Sequence, residues 1–263
     1  MRKPLMSYPQ AQRAVWPLVS ALALLLLWEL LFRQFAVPVY LAPKPSDIFA
    51  TLISQRDALF GSLLTTLKVT VLAFLMAIAI GTLIAFLFVQ SRLIESCLMP
   101  WAILFQVTPV VAIAPLVIIW IHNTTLALVV CAMLVAVFPV LTNTTLGLRS
   151  VNPGLLNLFH INQASGWQIL LRLRLPNALP YFFSGLRISS GLALIGAVVA
   201  EFLSAQSGLG YLIAASSVSM SMATMFAGVM LLAMIGLCGA ELVRWLQRRL
   251  LFWEADAVHR RRR

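Results

Sequence analysis

The chain has 263 residues, of which 61% are hydrophobic and only 10% are charged, and its mean hydropathy is +0.96. A soluble domain has roughly 25% charged residues. This chain has too few polar groups to cover a surface in water, so an ordinary soluble domain is excluded. The apolar runs are about 20 residues long without two-residue alternation, and this pattern predicts membrane helices and not a β-barrel. We therefore expect an all-α integral membrane protein.

The net charge of +11 raises the alternative of a nucleic-acid-binding protein. The basic residues, however, lie at the ends of apolar runs, where membrane proteins carry their orientation signals. The four arginines at 260–263 form a basic tail with residues 247–259. A patch for nucleic acid or lipid headgroups is one interpretation of that tail, and we prefer a solvated cytoplasmic tail.

Six apolar windows predict six membrane helices, in chain order 16–35, 62–88, 98–121, 125–146, 180–202 and 222–246. The first window follows a basic N-terminus, as in a signal peptide, but it contains Glu29 and has no small-residue cleavage pattern, so we interpret it as a retained anchor. Between the first two windows, three prolines followed by Ser46 and Asp47 predict an extended connector and then a short amphipathic helix.

The third window is the least regular of the six. Gln106, Thr108, Pro109 and Pro115 interrupt it, and proline breaks the hydrogen-bond ladder of a helix. Broken backbone at membrane depth is tolerated where it is buried in protein or lines a water-filled path. We therefore consider a translocation path with Gln106, Thr108 and Pro109, and a simple proline kink is an equal alternative.

The distribution of Lys and Arg predicts the orientation of the chain. With the N-terminus in the cytoplasm, the outer side receives only Arg33, Lys44, Arg56 and Lys68, and the other fifteen of the 19 basic residues face the cytoplasm. This asymmetry is a strong positive-inside signal. Both termini and the long loop after the fourth helix are therefore expected to be cytoplasmic.

Small residues recur every four positions on two of the predicted helices. One stripe contains Ala73, Ala77, Gly81 and Ala85, and the other contains Gly185, Ser189, Ala193 and Ala197 and ends at Glu201. Such stripes let helix backbones approach closely in lipid. We prefer packing inside one bundle over a dedicated dimer face. Glu201 is a candidate for the outer mouth of a path, with a capping or interfacial role as the alternative.

Several kinds of chemistry have no motif in this sequence. There is no P-loop for ATP, no H-E-x-x-H, no G-x-S-x-G and no CxxC, and the three histidines do not cluster. We therefore expect no catalytic, cofactor or metal site in this chain, and no enzyme activity.

The loop 151–180, VNPGLLNLFHINQASGWQILLRLRLPNALP, predicts two short helices. Asn152 and Pro153 form a helix-start signal for the first, and the second covers 167–175 and ends at Pro176. We expect both helices to lie across the cytoplasmic surface with their apolar sides toward the bundle, as a docking element for a soluble partner. An amphipathic segment in the membrane interface is an equal alternative.

This loop and its flanks resemble the binding-protein-dependent ABC importer permeases, in particular the nitrate, sulfonate and taurine branch that includes thiamine-precursor and riboflavin permeases. The matching stretches are LAPKPSDIFATL (41–52), QVTPVVAIAPLVIIW (106–120), FPVLTNTTLGLRSVNPGLL (138–156), LRLPNALPYFFSGLRISSGLALIGAVVAEF (173–202) and SGLGYLI (207–213). The resemblance implies a type I, MetI-like permease bundle and one transmembrane domain over 1–263.

In that family the loop carries the EAA motif, in which a glycine precedes I-x-L-P by nine residues. The register without gaps puts Leu173, Leu175 and Pro176 on I-x-L-P, Gln163 on the glycine and 157–159 on E-A-A, so the first half of the motif diverges. A register with Gly166 as the glycine needs a deletion of three residues. The resemblance then implies a coupling loop over about 150–179 with these candidate contacts to an ATPase: Asn157, Gln163, Ala164, Ser165, Gly166, Trp167, Leu173, Leu175 and Pro176.

The resemblance also implies the partners and the mechanism. Two permease chains, which we expect to be identical copies, enclose a path in the inner membrane. ATPase subunits that hold ATP and Mg²⁺ dock inside, and a substrate-binding protein docks outside. ATP binding would then drive alternating access. The substrate stays open among nitrate, sulfonates, taurine, pyrimidines and riboflavin, with a slight preference for heterocycles. The alternative function is an ATP-independent secondary transporter or channel, which predicts inverted repeats and midplane ion ligands.

Overall fold

The computed structural model describes residues 10–204 and 206–251, and within them all regular structure is helical. Arg2, Lys3 and most of the predicted basic tail, including 260–263, lie outside the described residues. The helices are α1 (Gln10–Gln34), α2 (Pro45–Ser54), α3 (Arg56–Gln90), α4 (Arg92–Val107), α5 (Val110–Trp120), α6 (Thr124–Arg149), α7 (Pro153–Ile161), α8 (Gly166–Ile169), α9 (Leu175–Ser204), α10 (Leu209–Val218) and α11 (Met222–Leu250). A π-helical segment, Leu170–Arg174, joins α8 to α9.

Within the described residues, four helices are long and apolar enough to cross a bilayer: α3, α6, α11 and the continuous helix Gly166–Leu203 that α8, the π-helical segment and most of α9 form. The pair α4 and α5 makes a fifth candidate span if it is counted as one. The sequence predicted about six spans. The remaining predicted window, 16–35, corresponds to α1, which is a helix of 25 residues but is not among these candidate spans.

The third predicted span is broken and not merely kinked. α4 and α5 meet at an angle of 105° at Thr108 and Pro109. The backbone of Thr108 and Pro109 is extended, and α5 begins directly after Pro109. Pro109 has no backbone N–H to donate, so the α-helical ladder of α4 cannot continue through it.

The centre of the bundle is formed by α3, α6 and α9. The members of both small-residue stripes are buried inside it, which supports the prediction that the stripes pack one bundle. A Cβ added at Gly196 of α9 would lie 2.8 Å from the Cα of Ala132 on α6. Ser189 of α9 donates to the backbone oxygen of Ala136 at 2.7 Å. Close approach of the backbones thus takes the place of large interlocking side chains.

The predicted amphipathic helix after the connector is α2. It begins at Pro45, one residue before the predicted cap, because Asp47 accepts a hydrogen bond from the backbone N–H of Lys44 at 3.2 Å. Ser46 contacts α1 instead: its backbone N–H and its hydroxyl donate to Glu29 at 3.1 and 2.9 Å. Glu29 therefore joins α1 to the first turn of α2, where a helix N-terminus favours a carboxylate.

Candidate functional site: the coupling loop and the broken span

The first helix of the predicted coupling loop is α7, and both of its ends are capped. At its start, Asn152 accepts a hydrogen bond from the backbone N–H of Gly154 at 2.8 Å. At its end, Ala164 N–H donates to Phe159 O at 3.0 Å and Gln163 N–H donates to His160 O at 2.9 Å. This pair of bonds is the Schellman motif, which requires a left-handed residue at its turn.

Gln163 is that left-handed residue, with φ of +54°. Glycine usually occupies such a position, because a side chain there costs roughly 1–2 kcal/mol. The register without gaps placed Gln163 on the glycine of the family motif. The backbone thus has the conformation that a glycine would favour, although the residue is a glutamine, and this supports that register over the one with Gly166.

The second half of the loop differs from its prediction. Ser165 and Gln168 cap α8 reciprocally, since Ser165 N–H donates to Gln168 Oε1 at 2.9 Å and Gln168 N–H donates to Ser165 Oγ at 3.3 Å. The helix does not end at Pro176 as predicted, and Pro180 does not begin the next span. The chain instead continues through both prolines as one helix, Gly166–Leu203.

The π-helical segment explains how the helix passes Pro176. In an α-helix the ring of Pro176 would collide with the carbonyl oxygen of Arg172, and no N–H would bond to that oxygen. The segment Leu170–Arg174 is wider, with Leu175 N–H bonded to Leu170 O, five residues earlier. The bond from Leu175 thus skips the α-helical register directly before the proline, and the helix continues beyond it.

Most of the apolar residues of α7 do not face the bundle as predicted. Leu155, Leu158 and Ile161 are exposed, with Ile161 79% exposed, and Trp167 at the start of α8 is 65% exposed. We call these four residues the α7 face. Only Leu156 and Phe159 of α7 are half-buried. The predicted burial therefore holds only in part, for Leu156 and Phe159, whereas the α7 face is open.

The other predicted coupling residues surround the α7 face. Asn157, Gln163, Ser165, Gly166 and Pro176 are exposed, and three are half-buried: Ala164, Leu173 and Leu175. Ile169 is buried and Leu170 half-buried, as predicted for the apolar side of the second helix.

Two polar contacts that the sequence analysis did not identify hold the base of the loop. Arg149, at the end of α6, donates to both carboxylate oxygens of Glu95 at 2.6 Å and to Phe88 O at 2.9 Å. Asn177 of α9 donates to Gly147 O at 3.1 Å and to Ser150 Oγ at 2.9 Å. The bidentate ion pair ties α4 to α6, and Asn177 ties α9 to α6. These contacts therefore fix the positions at which the loop begins, after α6, and ends, in α9.

The structure places the predicted path residues in two separate regions. Gln106 and Pro109 are exposed and Thr108 is half-buried, all at or beside the break between α4 and α5. The hydroxyl of Thr108 donates to Leu104 O at 2.6 Å. α4 has no fully buried residues, and its surface is largely open apart from three side chains that pack against the bundle: Ile94, Met99 and Ala102.

Glu201 lies apart from the break and is 0% exposed. One carboxylate oxygen accepts from Thr66 Oγ1 at 2.8 Å and from Gly210 N–H at 2.9 Å, and Leu209 N–H donates to Thr66 Oγ1 at 2.8 Å. Glu201 and Thr66 thus cap the first turn of α10, which matches the capping alternative of the sequence analysis. Gly208, with φ of +104°, passes so close that a Cβ there would overlap the carboxylate.

The sequence analysis did not connect these residues, since Thr66 lies 135 positions before Glu201. The signal that was present is the SGLG segment at 207–210, where closely spaced glycines indicate a tight approach of backbone. The coupling loop and Glu201 lie at opposite ends of the continuous helix Gly166–Leu203, which spans 38 residues, about 57 Å. No group of His, Cys, Asp and Glu in the described part of the chain could hold a metal ion.

Comparisons with known proteins agree with this architecture. Residues 77–252 match the family described as "Binding-protein-dependent transport system inner membrane component". A "Probable ABC transporter permease protein" of Haemophilus influenzae is 34% identical over 91% of this chain and 98% of its own length. The "Formylaminopyrimidine transport permease protein ThiX" of Halalkalibacterium halodurans is 32% identical over 93% of this chain and 98% of its own length.

Two further relatives and one solved structure extend the comparison. The riboflavin permease RibX of Chloroflexus aurantiacus is 32% identical over 93% of this chain and 94% of its own length. The putative aliphatic sulfonates permease SsuC of Bacillus subtilis is 30% identical over 93% of this chain and 90% of its own length. A structure titled as an amino acid ABC transporter with histidines covers 76% of this chain and 98% of its own, with a TM-score of 0.64 and 16% identity. The chain therefore belongs to the binding-protein-dependent inner-membrane permeases, and it is a permease subunit of an ABC importer.

Proposed function

We propose that this permease, as one domain, encloses a translocation path with a second, identical chain. Two ATPase subunits that hold ATP and Mg²⁺ dock on the α7 face, and a substrate-binding protein docks at the opposite end. The permease itself performs no bond chemistry in this scheme. The observation that carries the proposal is the α7 face, since four large apolar side chains stand exposed on a loop with a fixed base. Exposed apolar side chains on a loop outside the predicted spans are typical of a protein interface, and the alternative is a segment that lies in the membrane interface.

The continuous helix Gly166–Leu203 suggests how docking is transmitted. It begins beside the α7 face and ends at Glu201, which caps α10. Closure of the ATPase pair would move the start of this helix, and a rigid helix transfers such a movement to its other end. The result would be alternating access by rigid-body movement, biased by ligands at both ends.

Ile161 is the residue with which we test docking. The change Ile161→Glu places a charge in the proposed interface at a position that is 79% exposed, so the fold of the isolated chain is expected to persist. Leu93→Glu is the matched control, because Leu93 of α4 is also 79% exposed but lies outside the α7 face. We expect Ile161→Glu to abolish co-purification with the ATPase and Leu93→Glu to retain it. Equal retention by both variants would contradict the proposed docking.

We assign the path to the open surface around Gln106, Thr108 and Pro109. Glu201 is buried in this conformation, so we give it the role of a positioning residue for α10. Gln106→Ala is expected to lower the uptake rate at least about threefold with ATPase association unchanged, because a polar group on the path is lost. Gln90→Ala, at an exposed position at the end of α3, is the control. Unchanged uptake by Gln106→Ala would remove Gln106 from the path.

The orientation of both termini in the cytoplasm rests on the distribution of Lys and Arg. In a background without Cys97 and Cys238, Asp57→Cys should react with a membrane-impermeant thiol reagent added outside. Asn157→Cys should react only after permeabilisation. The reverse pattern would invert the proposed topology.

The substrates of the relatives supply the candidates for this chain. Their names specify a formylaminopyrimidine, riboflavin and aliphatic sulfonates, which differ in charge. We therefore propose a small organic solute, without choosing among these from similarity alone. Uptake that persists without any ATPase would favour the alternative of a secondary transporter.

A further inference from the structure

A polar cleft of about 650 Å³ opens at the end of the bundle opposite the coupling loop. Its walls come from the end of α2, the first turns of α3, the segment before α10, α10 itself and the start of α11. The volume lies within the range of about 300–1,000 Å³ that is usual for small-molecule sites. The cleft shares α10 with the Glu201 contact, so the position of one wall depends on the Glu201 cap.

Most of the residues that line this cleft carry a hydroxyl or an amide, although apolar atoms supply much of its surface. The hydroxyls and amides include those of Gln55, Ser62, Tyr211, Ser216, Ser219 and Thr224. Thr224 donates to Gln55 Oε1 at 3.2 Å and lies 3.0 Å from the hydroxyl of Ser221. Each hydroxyl can both donate and accept, and the amides add two donors each. Such a lining suits a solute with several nitrogen and oxygen atoms.

The charges around the cleft are unfavourable for an anion. Among the described lining residues only Asp57 is charged, and it is an acid at the rim. Arg56 lies 3.7 Å from Asp57 but borders the neighbouring depression beside Leu52 and Phe60. An anionic group in the cleft would therefore gain no cationic partner from the lining and would be repelled by Asp57.

We propose that this cleft is the outer vestibule of the permease and that it admits an uncharged, hydrogen-bonding solute such as a nitrogen heterocycle, in preference to a sulfonate or another anion. This inference rests on the proposed import function and specifies its substrate class. Ser216 is the hydroxyl that we assign to solute contact, because it lines the cleft and its Oγ makes no hydrogen bond to another described residue.

The first test measures ATP-dependent uptake of three radiolabelled probes in cells that express the whole complex: a formylaminopyrimidine, riboflavin and ethanesulfonate. We expect uptake of a neutral heterocycle. Ser216→Ala should raise the KM about three- to tenfold, as for the loss of one hydrogen bond. Ser217→Ala is the matched control, since Ser217 is the next residue of α10 but does not line the cleft. Asp57→Asn should leave the KM within about twofold, because an uncharged solute gains or loses little from that charge.

Other results would contradict either the vestibule or the import function. ATP-dependent uptake of ethanesulfonate alone, a lower KM with Asp57→Asn, or equal effects of Ser216→Ala and Ser217→Ala would overturn the vestibule and leave the import function intact. No association with an ATPase would contradict the import function instead.

A second test measures labelling rates instead of uptake. It therefore tests the inference even if none of the three probes is transported. In the complex without Cys97 and Cys238, the cleft residue Ser219 is changed to Cys, with Ser217→Cys as the reference. A cationic methanethiosulfonate reagent should label Ser219→Cys about tenfold faster than its sulfonate analogue, relative to the reference. Equal rates, or faster labelling by the sulfonate, would overturn the inference.

Discussion

Gln163 shows how far one residue can be predicted from the sequence. Its alignment with a motif glycine indicated an unusual turn, but only the backbone revealed a left-handed residue with φ of +54° inside a Schellman motif. A sequence without that resemblance would not have indicated it, since glutamine is common in ordinary helices. The turn separates α7 from α8, so the angle of the coupling loop depends on this residue.

Gln163→Gly should stabilise the chain by roughly 0.5–1 kcal/mol, because relief of the left-handed strain exceeds the entropic cost of glycine. Gln163→Val should lower the free energy of unfolding by more than about 1 kcal/mol, since a β-branched residue disfavours φ above zero. Thermal unfolding of the purified chain in detergent measures both changes. A valine variant as stable as the parent would show that the turn is not left-handed in solution.

The Glu201 contact could not be predicted residue by residue. Its partners come from α3 and from the glycine segment before α10, and no local pattern relates positions so far apart. Desolvation of a carboxylate is costly, and the hydrogen bonds from Thr66 and Gly210 to one oxygen offset part of that cost, since Oε1 has no partner among the described residues. The sequence analysis named Glu201 and gave capping as one alternative. The contacts in the structure show that Glu201 caps α10.

Gly208→Ala should destabilise the chain by about 2–4 kcal/mol, because the new Cβ overlaps the Glu201 carboxylate and φ there is +104°. Gly191→Ala on α9 is the matched control, as a Cβ there meets nothing within 4 Å. The same thermal measurement applies. If both variants unfold at the same temperature, the contact between Gly208 and Glu201 does not exist as described.

At the scale of secondary-structure elements, hydropathy predicted the positions of most spans. The assumption that proline ends a helix misplaced the start of the fifth predicted span. α6 and α11 begin within one residue of their predicted starts. The start of the fifth predicted span was wrong because Pro176 was taken as the end of one helix and Pro180 as the start of the next, whereas one helix that includes a π-helical segment continues through both. Local sequence signals do not reveal a π-helical turn. The break at Pro109 was a predicted alternative, and its angle of 105° was not predictable.

The small-residue stripes were predicted correctly because a period of four places small side chains on one face of a helix. Gly196→Ala should cost about 1–3 kcal/mol, since a Cβ would lie 2.8 Å from the Cα of Ala132 and force α6 and α9 apart. Gly239→Ala on α11, where a Cβ meets nothing within 4 Å, should be neutral or stabilising. Unfolding of the two variants at one temperature would contradict close packing of α6 against α9.

For the whole molecule, the composition identified a membrane protein and the motifs identified its family. The resemblance supplied candidate coupling residues, but neither the composition nor the motifs predicted which side chains of the loop stand exposed. The apolar side of the loop was expected to rest on the bundle, and the structure leaves the α7 face exposed. A single chain contains half of a path in this account, so its open surfaces are understood only together with the second permease, the ATPase and the binding protein. The end with the α7 face and the end with the polar cleft are connected by one helix.

The most direct test of this account is ATP hydrolysis by the complex reconstituted in proteoliposomes, with and without the solute-loaded binding protein. The parent complex should hydrolyse ATP faster when the binding protein is added and should take up solute only with ATP. Ile161→Glu should abolish both activities, and Leu93→Glu should preserve them. Solute uptake that continues without the ATPase, or full coupling in the Ile161→Glu complex, would contradict the account.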